Sequence, residues 1–211
     1  MKTALIVIDM QRDFLDAGGY AANAGLDVSL LRQAIVPIST LLAAARQKKL
    51  LVIHTREGHR PDLTDCPPAK LARSRSAGAE IGSIGPLGRL LVMGEQGHDI
   101  IDELYPKADE PVIDKPGYSA FAHTNLEFIL RKNNIEQILF TGVTTEVCVH
   151  SSLRDAVDRG YQCVLVSDAC ASAYPHLHQA ALDMVEVEGG IFGLVMDTAA
   201  TLKAIEAGDF V

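Results

Sequence analysis

The stretch Gln137–Val166, QILFTGVTTEVCVHSSLRDAVDRGYQCVLV, decides the fold. Gln137–Thr141 is an apolar run that reads as a strand. A glycine-containing turn follows, Thr145–Arg159 reads as a helix, and Gln162–Val166 is a second strand. A strand, a covering helix and another buried strand pair in parallel through a right-handed crossover.

The same alternation extends in both directions. Ala4–Ile8 (ALIVI) and Leu50–His54 (LLVIH) read as buried strands, with Val28–Lys48 helical between them. Val112–Ile113 is extended, Thr124–Lys132 helical, and His176–Glu186 helical. Ile191–Val195 is a short strand and Asp197–Glu206 a final helix. Continuous apolar strands between amphipathic helices need cover on both faces. The expected fold class is α/β: a doubly wound three-layer sandwich around a mostly parallel central sheet, forming a single domain over residues 1–211. Arg56–Gly97 departs from this pattern. It is rich in Gly, Pro and charge, and a loop of that length is functional or disordered.

The bulk composition excludes several classes. The formal net charge of −8 disfavours nucleic acid and anionic membranes as partners. No uncharged apolar run reaches the length of a membrane span. The chain enters Ala4–Ile8 without a signal-like segment, so a cytoplasmic location is expected. The four cysteines, Cys66, Cys148, Cys163 and Cys170, form no CxxC pair or zinc pattern, and free thiols are expected.

In an open parallel sheet, ligands bind beyond the C-terminal strand ends. That rule selects Asp9, His54 to Glu57, Thr141 to Cys148, and Asp168. Cys148 falls in the first turn of its helix, where free N–H groups and the helix dipole favour a thiolate and bind an oxyanion. The competing reading is a small hydrophobe packed on the sheet. Asp9 ends an apolar strand; it is either a cap or a general base for the thiol. Asp13 reads as a cap. Lys115 precedes the turn Pro116-Gly117, which fixes its position; beside a cysteine it lowers the thiol pKa, and otherwise it is a surface lysine.

Three motifs carry a resemblance. VIDMQRDF (Val7–Phe14), DKPGYSAF (Asp114–Phe121) and TGVTTEVCV (Thr141–Val149) together resemble the isochorismatase-like cysteine hydrolases, in order and spacing, over nearly the whole chain. That group includes nicotinamidases and N-carbamoylsarcosine, ureidoacrylate, biuret and triuret hydrolases. The resemblance implies a catalytic triad of Asp9, Lys115 and Cys148. It also implies a cis peptide at Val143–Thr144 and an oxyanion hole from the Thr144 and Cys148 N–H groups. A cysteine nucleophile argues against true isochorismatase activity. No cofactor is required, and a homo-oligomer, often a tetramer, is implied.

No metal is expected, because His54 and His59 in HTREGHRPDLTD do not reproduce the Asp and two His of nicotinamidases. His54 reads instead as a hydrogen-bonded core residue, and Arg56 and Glu57 as a mutual pair. The long loop resembles the biuret and triuret branch. Where biuret hydrolases carry Gln before Gly-Gly, this chain has Glu188 in VEVEGGIFG. An ionised Glu only accepts hydrogen bonds, which suits a longer, N–H-rich ureide. Triuret is therefore preferred over biuret, with ureidoacrylate or another N-carbamoyl compound as a further alternative. Phe14 and Phe121 are expected to sandwich the ureide, Tyr118 to bond to it, and Gln11 to hold the adjoining loop within the substrate site. Against an amidohydrolase stand a thiol redox protein, which needs Cys163 or Cys170 to reach Cys148, and a binding module that has lost the chemistry. A dinucleotide-binding reading fails for lack of GxGxxG.

Overall fold

The computed structural model describes residues 1–210. Its strands are β1 (Thr3–Ile8), β2 (Leu51–Glu57), β3 (Ile84–Gly85), β4 (Gly88–Arg89), β5 (Val112–Lys115), β6 (Gln137–Val143), β7 (Gln162–Ala171) and β8 (Leu194–Met196). Six of them form one sheet in the order β5-β2-β1-β6-β7-β8, and every pairing in it is parallel. The expected α/β class holds.

The alternation of side chains along β1 builds the layers. Leu5 and Val7 face one core, with Ile35, Ile38, Leu41 and Leu42 of the helix Ile35–Gln47 and Ala204 and Ile205 of the helix Thr198–Ala207. Ala4, Ile6 and Ile8 face the other, with Leu126 and Leu130 of Leu126–Lys132, Leu153 of His150–Asp158, and Leu182 and Val185 of Pro175–Gly190. Each large side chain so buried contributes about 1.5–3 kcal/mol. That offsets the cost of the charged groups gathered at the strand ends. By length and composition Val28–Gln47 passes as a membrane span, with 20 residues and a mean hydropathy of 1.5. A 3-10 turn at Arg32–Ala34 interrupts it, and its apolar stripe packs on the sheet.

The chain runs outward from β1 through β2 to β5, then returns to place β6 on the other side of β1. The sheet therefore reverses direction between β1 and β6, and a crevice opens at their C-terminal ends. Gly142 keeps these two strands close. Its φ is +113°, and a Cβ there would stand 2.0 Å from the Ile8 carbonyl oxygen.

Several element boundaries differ from expectation. β2 continues to Glu57, because Arg56 and Glu57 pair in register with Asp114 and Lys115 of β5. β7 continues to Ala171 past an irregularity opposite Phe140 and Gly142. Asp168 thus lies inside a strand, where its carboxylate accepts from the Thr198 N–H at 2.7 Å at the start of the last helix. The Arg56–Gly97 region is ordered. It contains the helix Pro68–Ser76 and the β3–β4 hairpin. Cys148 lies within a π turn, Thr145–Val149, ahead of the regular helix His150–Asp158; such turns recur at functional sites.

Candidate active site

Four adjacent strands deliver four side chains to one point. Asp9 follows β1, Glu57 ends β2, Lys115 ends β5, and Cys148 lies in the turn after β6. All four are buried. Lys115 Nζ is 2.8 Å from Asp9 Oδ2 and 3.6 Å from Glu57 Oε2. The Cys148 thiol donates to Glu57 Oε2 at 3.2 Å. The other Glu57 oxygen is held by Lys70 Nζ at 2.6 Å, and Lys70 also donates to the Pro116 carbonyl at 2.6 Å. Thr55 Oγ1 donates to Asp9 Oδ1 at 2.6 Å. The Val143–Thr144 peptide is cis, which turns the backbone at the head of the π turn.

The electrostatics separate the groups. Burial pushes the Cys148 thiol well above its ordinary pKa; Lys115 opposes this, while Glu57 and Asp9 add to it. The resting group is therefore a thiol, not the thiolate expected from a helix start alone, and its activation needs a base. Burial likewise raises Asp9, against the pull of Lys115. Burial also works against the charge of Glu57, but Lys115 and Lys70 outweigh it and hold that carboxyl below the ordinary range. Burial disfavours the Lys115 ammonium, yet Asp9, Cys148 and Glu57 together keep it firmly protonated.

Asp9, Glu57 and Cys148 present ligand atoms within 4.8 Å of one another, a spacing able to hold a cation. The Lys115 ammonium already stands against the Asp9 and Glu57 carboxylates. His54 and His59 lie outside this group: His54 Nε2 is 3.1 Å from Glu110 and His59 Nδ1 is 3.3 Å from Asp65.

A cavity of about 310 Å³ opens above the thiol, with walls that are mostly apolar. Phe14 and Tyr118 line it, as does Tyr20, whose ring meets Phe14 edge-on. One wall comes from the long loop, through Lys70, Arg73 and Ser74 of its helix and through Ile81 and Leu91. Asp13 ties this wall to the Tyr20 segment by accepting from the Leu91 N–H at 2.9 Å and the Tyr20 N–H at 3.1 Å; burial raises its pKa to about 6.

Three expected contacts lie elsewhere. Phe121 is buried in the core against Tyr161, with the Arg159 guanidinium over its ring, and does not line the cavity. Gln11 is fully buried behind the site. Its amide donates to the Glu57 and His98 carbonyls and accepts from the Glu57 N–H at 2.7 Å, so it holds strand ends together. Glu188 is exposed, with φ +55° at the kinked end of its helix, and does not line the cavity. The supposed Arg56–Glu57 pair is absent as well: Arg56 binds Asp114 and Asp99, which leaves Glu57 to the thiol.

A buried thiol between carboxylates and a fixed ammonium, at the switch point of a parallel sheet and open to a small cavity, is the arrangement that nucleophilic cysteine chemistry requires. The chain belongs to the isochorismatase family: the family described as "Isochorismatase domain" matches residues 3–200. It is 36% identical over 208 residues to the ureidoacrylate amidohydrolase RutB of Klebsiella pneumoniae (strain 342), covering 97% of this chain and 87% of that protein. Among solved structures it resembles a cysteine hydrolase from Pseudomonas syringae pv. phaseolicola 1448A, with a TM-score of 0.82, 29% identity, and coverage of 98% and 93% of the two chains. It also resembles N-carbamoylsarcosine amidase from Thermoplasma acidophilum, with a TM-score of 0.71, 26% identity, and coverage of 94% and 97%.

Proposed function

We propose that this chain is a cysteine amidohydrolase that cleaves a small N-carbamoyl compound bearing a carboxylate, of the ureidoacrylate type. The observation that carries this reading is the Cys148 thiol, held against Glu57 and close to the Asp9–Lys115 pair on the floor of the cavity. Sγ loses its proton to a neighbouring carboxylate and attacks the carbamoyl carbon. The oxyanion rests on the Thr144 and Cys148 N–H groups. The C–N bond then breaks with a proton delivered to nitrogen, and water hydrolyses the thioester-like intermediate.

Two cavity groups support the substrate class. Arg73 lines the cavity with its guanidinium unpaired among the described residues, which suits a carboxylate. Glu146 also lines it, and its Oε2 is buried without a hydrogen-bond partner, which suits a ureido N–H. The ureidoacrylate amidohydrolase and the N-carbamoylsarcosine amidase, by their names, act on compounds with both features. Triuret is the second reading, favoured by the long loop's resemblance to the ureide branch. Its main support, Glu188, stands outside the cavity. A homo-oligomer, tetrameric by resemblance, is part of the same proposal and is checked by light scattering.

The test is ammonia release from ureidoacrylate, N-carbamoylsarcosine, triuret, biuret and nicotinamide. A carboxylate-bearing carbamoyl compound is expected to give the highest kcat/KM. Nicotinamide or triuret as the best substrate by a factor of ten or more would overturn the substrate class.

A further inference from the structure

Two carboxylates flank the thiol, and one of them faces the substrate space. We propose that Glu57 is a specificity-determining residue: its Oε2 accepts an N–H of the NH2 that stays on the acyl carbon, so the site selects carbamoyl groups over simple acyl groups. This inference rests on the amidohydrolase reading and names which end of the substrate lies on the cavity floor.

The geometry around Glu57 carries it. Glu57 and Cys148 line the cavity, whereas Asp9 and Lys115 do not. Glu57 Oε2 stands 3.2 Å from Sγ. Once Sγ bonds to the carbonyl carbon, a substituent on that carbon comes within hydrogen-bond reach of Oε2. The carboxylate is also fixed in place. Lys70 Nζ holds Oε1 at 2.6 Å, donates to the Pro116 carbonyl, and stands 5.0 Å from the centre of the Tyr118 ring. Gln11 holds the Glu57 backbone at both its N–H and its carbonyl. Oε1 is thus taken, and Oε2 keeps lone pairs for the thiol and for a substrate N–H. A methyl group in place of the NH2 would leave this anion facing an apolar group with no donor.

The two carboxyls are tuned apart. Against the cost of burial, Lys115 and Lys70 hold Glu57 ionised, so it accepts hydrogen bonds and has no proton to give. Burial raises Asp9, which suits a group that takes and returns a proton, and Asp9 is also within hydrogen-bond reach of the thiol. Asp9 therefore keeps the proton route, and Glu57 holds the acyl group.

The helix Pro68–Ser76 relates the two ends of the substrate. It carries the buried Lys70 and, three residues on, the exposed Arg73, and both line the cavity. Residues three apart share a helix face. The carbamoyl end lies on Glu57 beside Lys70, and the carboxylate end lies beside Arg73.

The step balances. As the S–C bond forms, the thiol proton moves to Asp9 and the carbonyl π pair moves to oxygen. The carbonyl then re-forms as the C–N bond to the substituted nitrogen breaks. The Asp9 proton passes to that nitrogen, which leaves as the neutral amine. The remaining thiocarbamate keeps its NH2 on Glu57. Incoming water gives a proton to Asp9 as the O–C bond forms. The C–S bond breaks, the sulfur recovers that proton, and carbamic acid departs.

N-acetylsarcosine has the shape of N-carbamoylsarcosine with a methyl group in place of the NH2. Calorimetry on Cys148→Ala reads the binding of both without turnover. The carbamoyl compound is expected to bind at least about tenfold more tightly. In Cys148→Ala/Glu57→Gln, Lys70, which only donates, takes the amide oxygen and leaves the amide NH2 where Oε2 stood. A donor then faces a donor, and the two compounds are expected to bind within about threefold of each other. No preference in Cys148→Ala, or a preference unchanged in the double variant, overturns the inference. If the Gln variant does not fold, Cys148→Ala/Glu57→Asp answers. The shorter carboxylate keeps the charge for Lys70 but draws back from the cavity, so the preference should fall at least about threefold; an unaltered preference overturns the inference. Ammonia release by the wild-type chain tests the amidohydrolase reading separately. Turnover of the panel without a carbamoyl preference in binding would sink the role of Glu57 alone.

Discussion

Lys115 Nζ and Asp9 Oδ2 meet at 2.8 Å with neither side chain exposed to solvent. The pair joins the ends of β5 and β1, which are separated in the sheet by β2. Burying each charge is costly, and the other partner is what offsets it. Lys115→Met leaves Asp9 and Glu57 facing each other without their shared cation. A loss of about 3–5 kcal/mol in folding free energy is expected, with activity abolished. The double variant Asp9→Asn/Lys115→Met is expected to recover much of the stability and none of the activity. Urea denaturation measures both, and a single-variant loss below about 1 kcal/mol would contradict the pair's role.

The protonation state of Cys148 gives a second test. Burial raises its pKa and Lys115 lowers it. The alkylation rate of Cys148 in the free protein should therefore keep rising above pH 8.5 or so, the midpoint of an ordinary thiol. Lys115→Met removes that opposing cation and moves the midpoint higher still. Burial raises the Cys66, Cys163 and Cys170 thiols too, so the modified residue is assigned by peptide mass. A Cys148 midpoint near neutrality would show a resting thiolate and contradict the electrostatics.

The candidate site and the strand ends that carry it are partly legible in the sequence. ALIVI followed by Asp9 marks a buried strand with a carboxylate at its end, and the β6 stretch marks Cys148 in the same way. Glu57 falls among the residues the strand-end rule selects, but the polar run Thr55, Arg56 and Glu57 ends the apolar pattern of β2 and makes it read as the partner of Arg56. The strand persists because those residues pair in register with β5, a non-local fact. Lys70 sits in a helix that a charged, proline-rich stretch conceals, although Pro68 at its first turn is a start signal. Phe121 and Glu188 were misplaced for a different reason. Motif position fixes the backbone, but whether a side chain meets the cavity depends on neighbours such as Tyr161 and Arg159 that lie far along the chain.

Gly142 tests how tightly the crevice is built. Its positive φ and the 2.0 Å approach to the Ile8 oxygen leave no room for a methyl group. Gly142→Ala has to separate β1 from β6, the two strands that carry Asp9 and the Cys148 turn. A destabilisation of about 3 kcal/mol or more is expected, together with loss of turnover. Thermal unfolding read beside ammonia release checks it. Wild-type stability in this variant would mean that the strands are less closely apposed.

Arg73 and Glu188 divide the two substrate readings most directly. Arg73 lines the cavity with its guanidinium unpaired among the described residues, whereas Glu188 lies on the exposed helix end. If a substrate carboxylate pairs with Arg73, Arg73→Ala removes a charge-assisted contact of about 1.5–3 kcal/mol. KM for ureidoacrylate should then rise by at least about tenfold while kcat changes little, because the contact is remote from the scissile bond. Biuret and triuret, which carry no carboxylate, should show almost no change in KM. Glu188→Gln should leave the triuret-to-biuret ratio unaltered, since its carboxylate does not reach the bound substrate. A marked shift in that ratio, with ureidoacrylate KM insensitive to Arg73→Ala, would return the preference to the neutral ureides and place Glu188 within reach of the substrate.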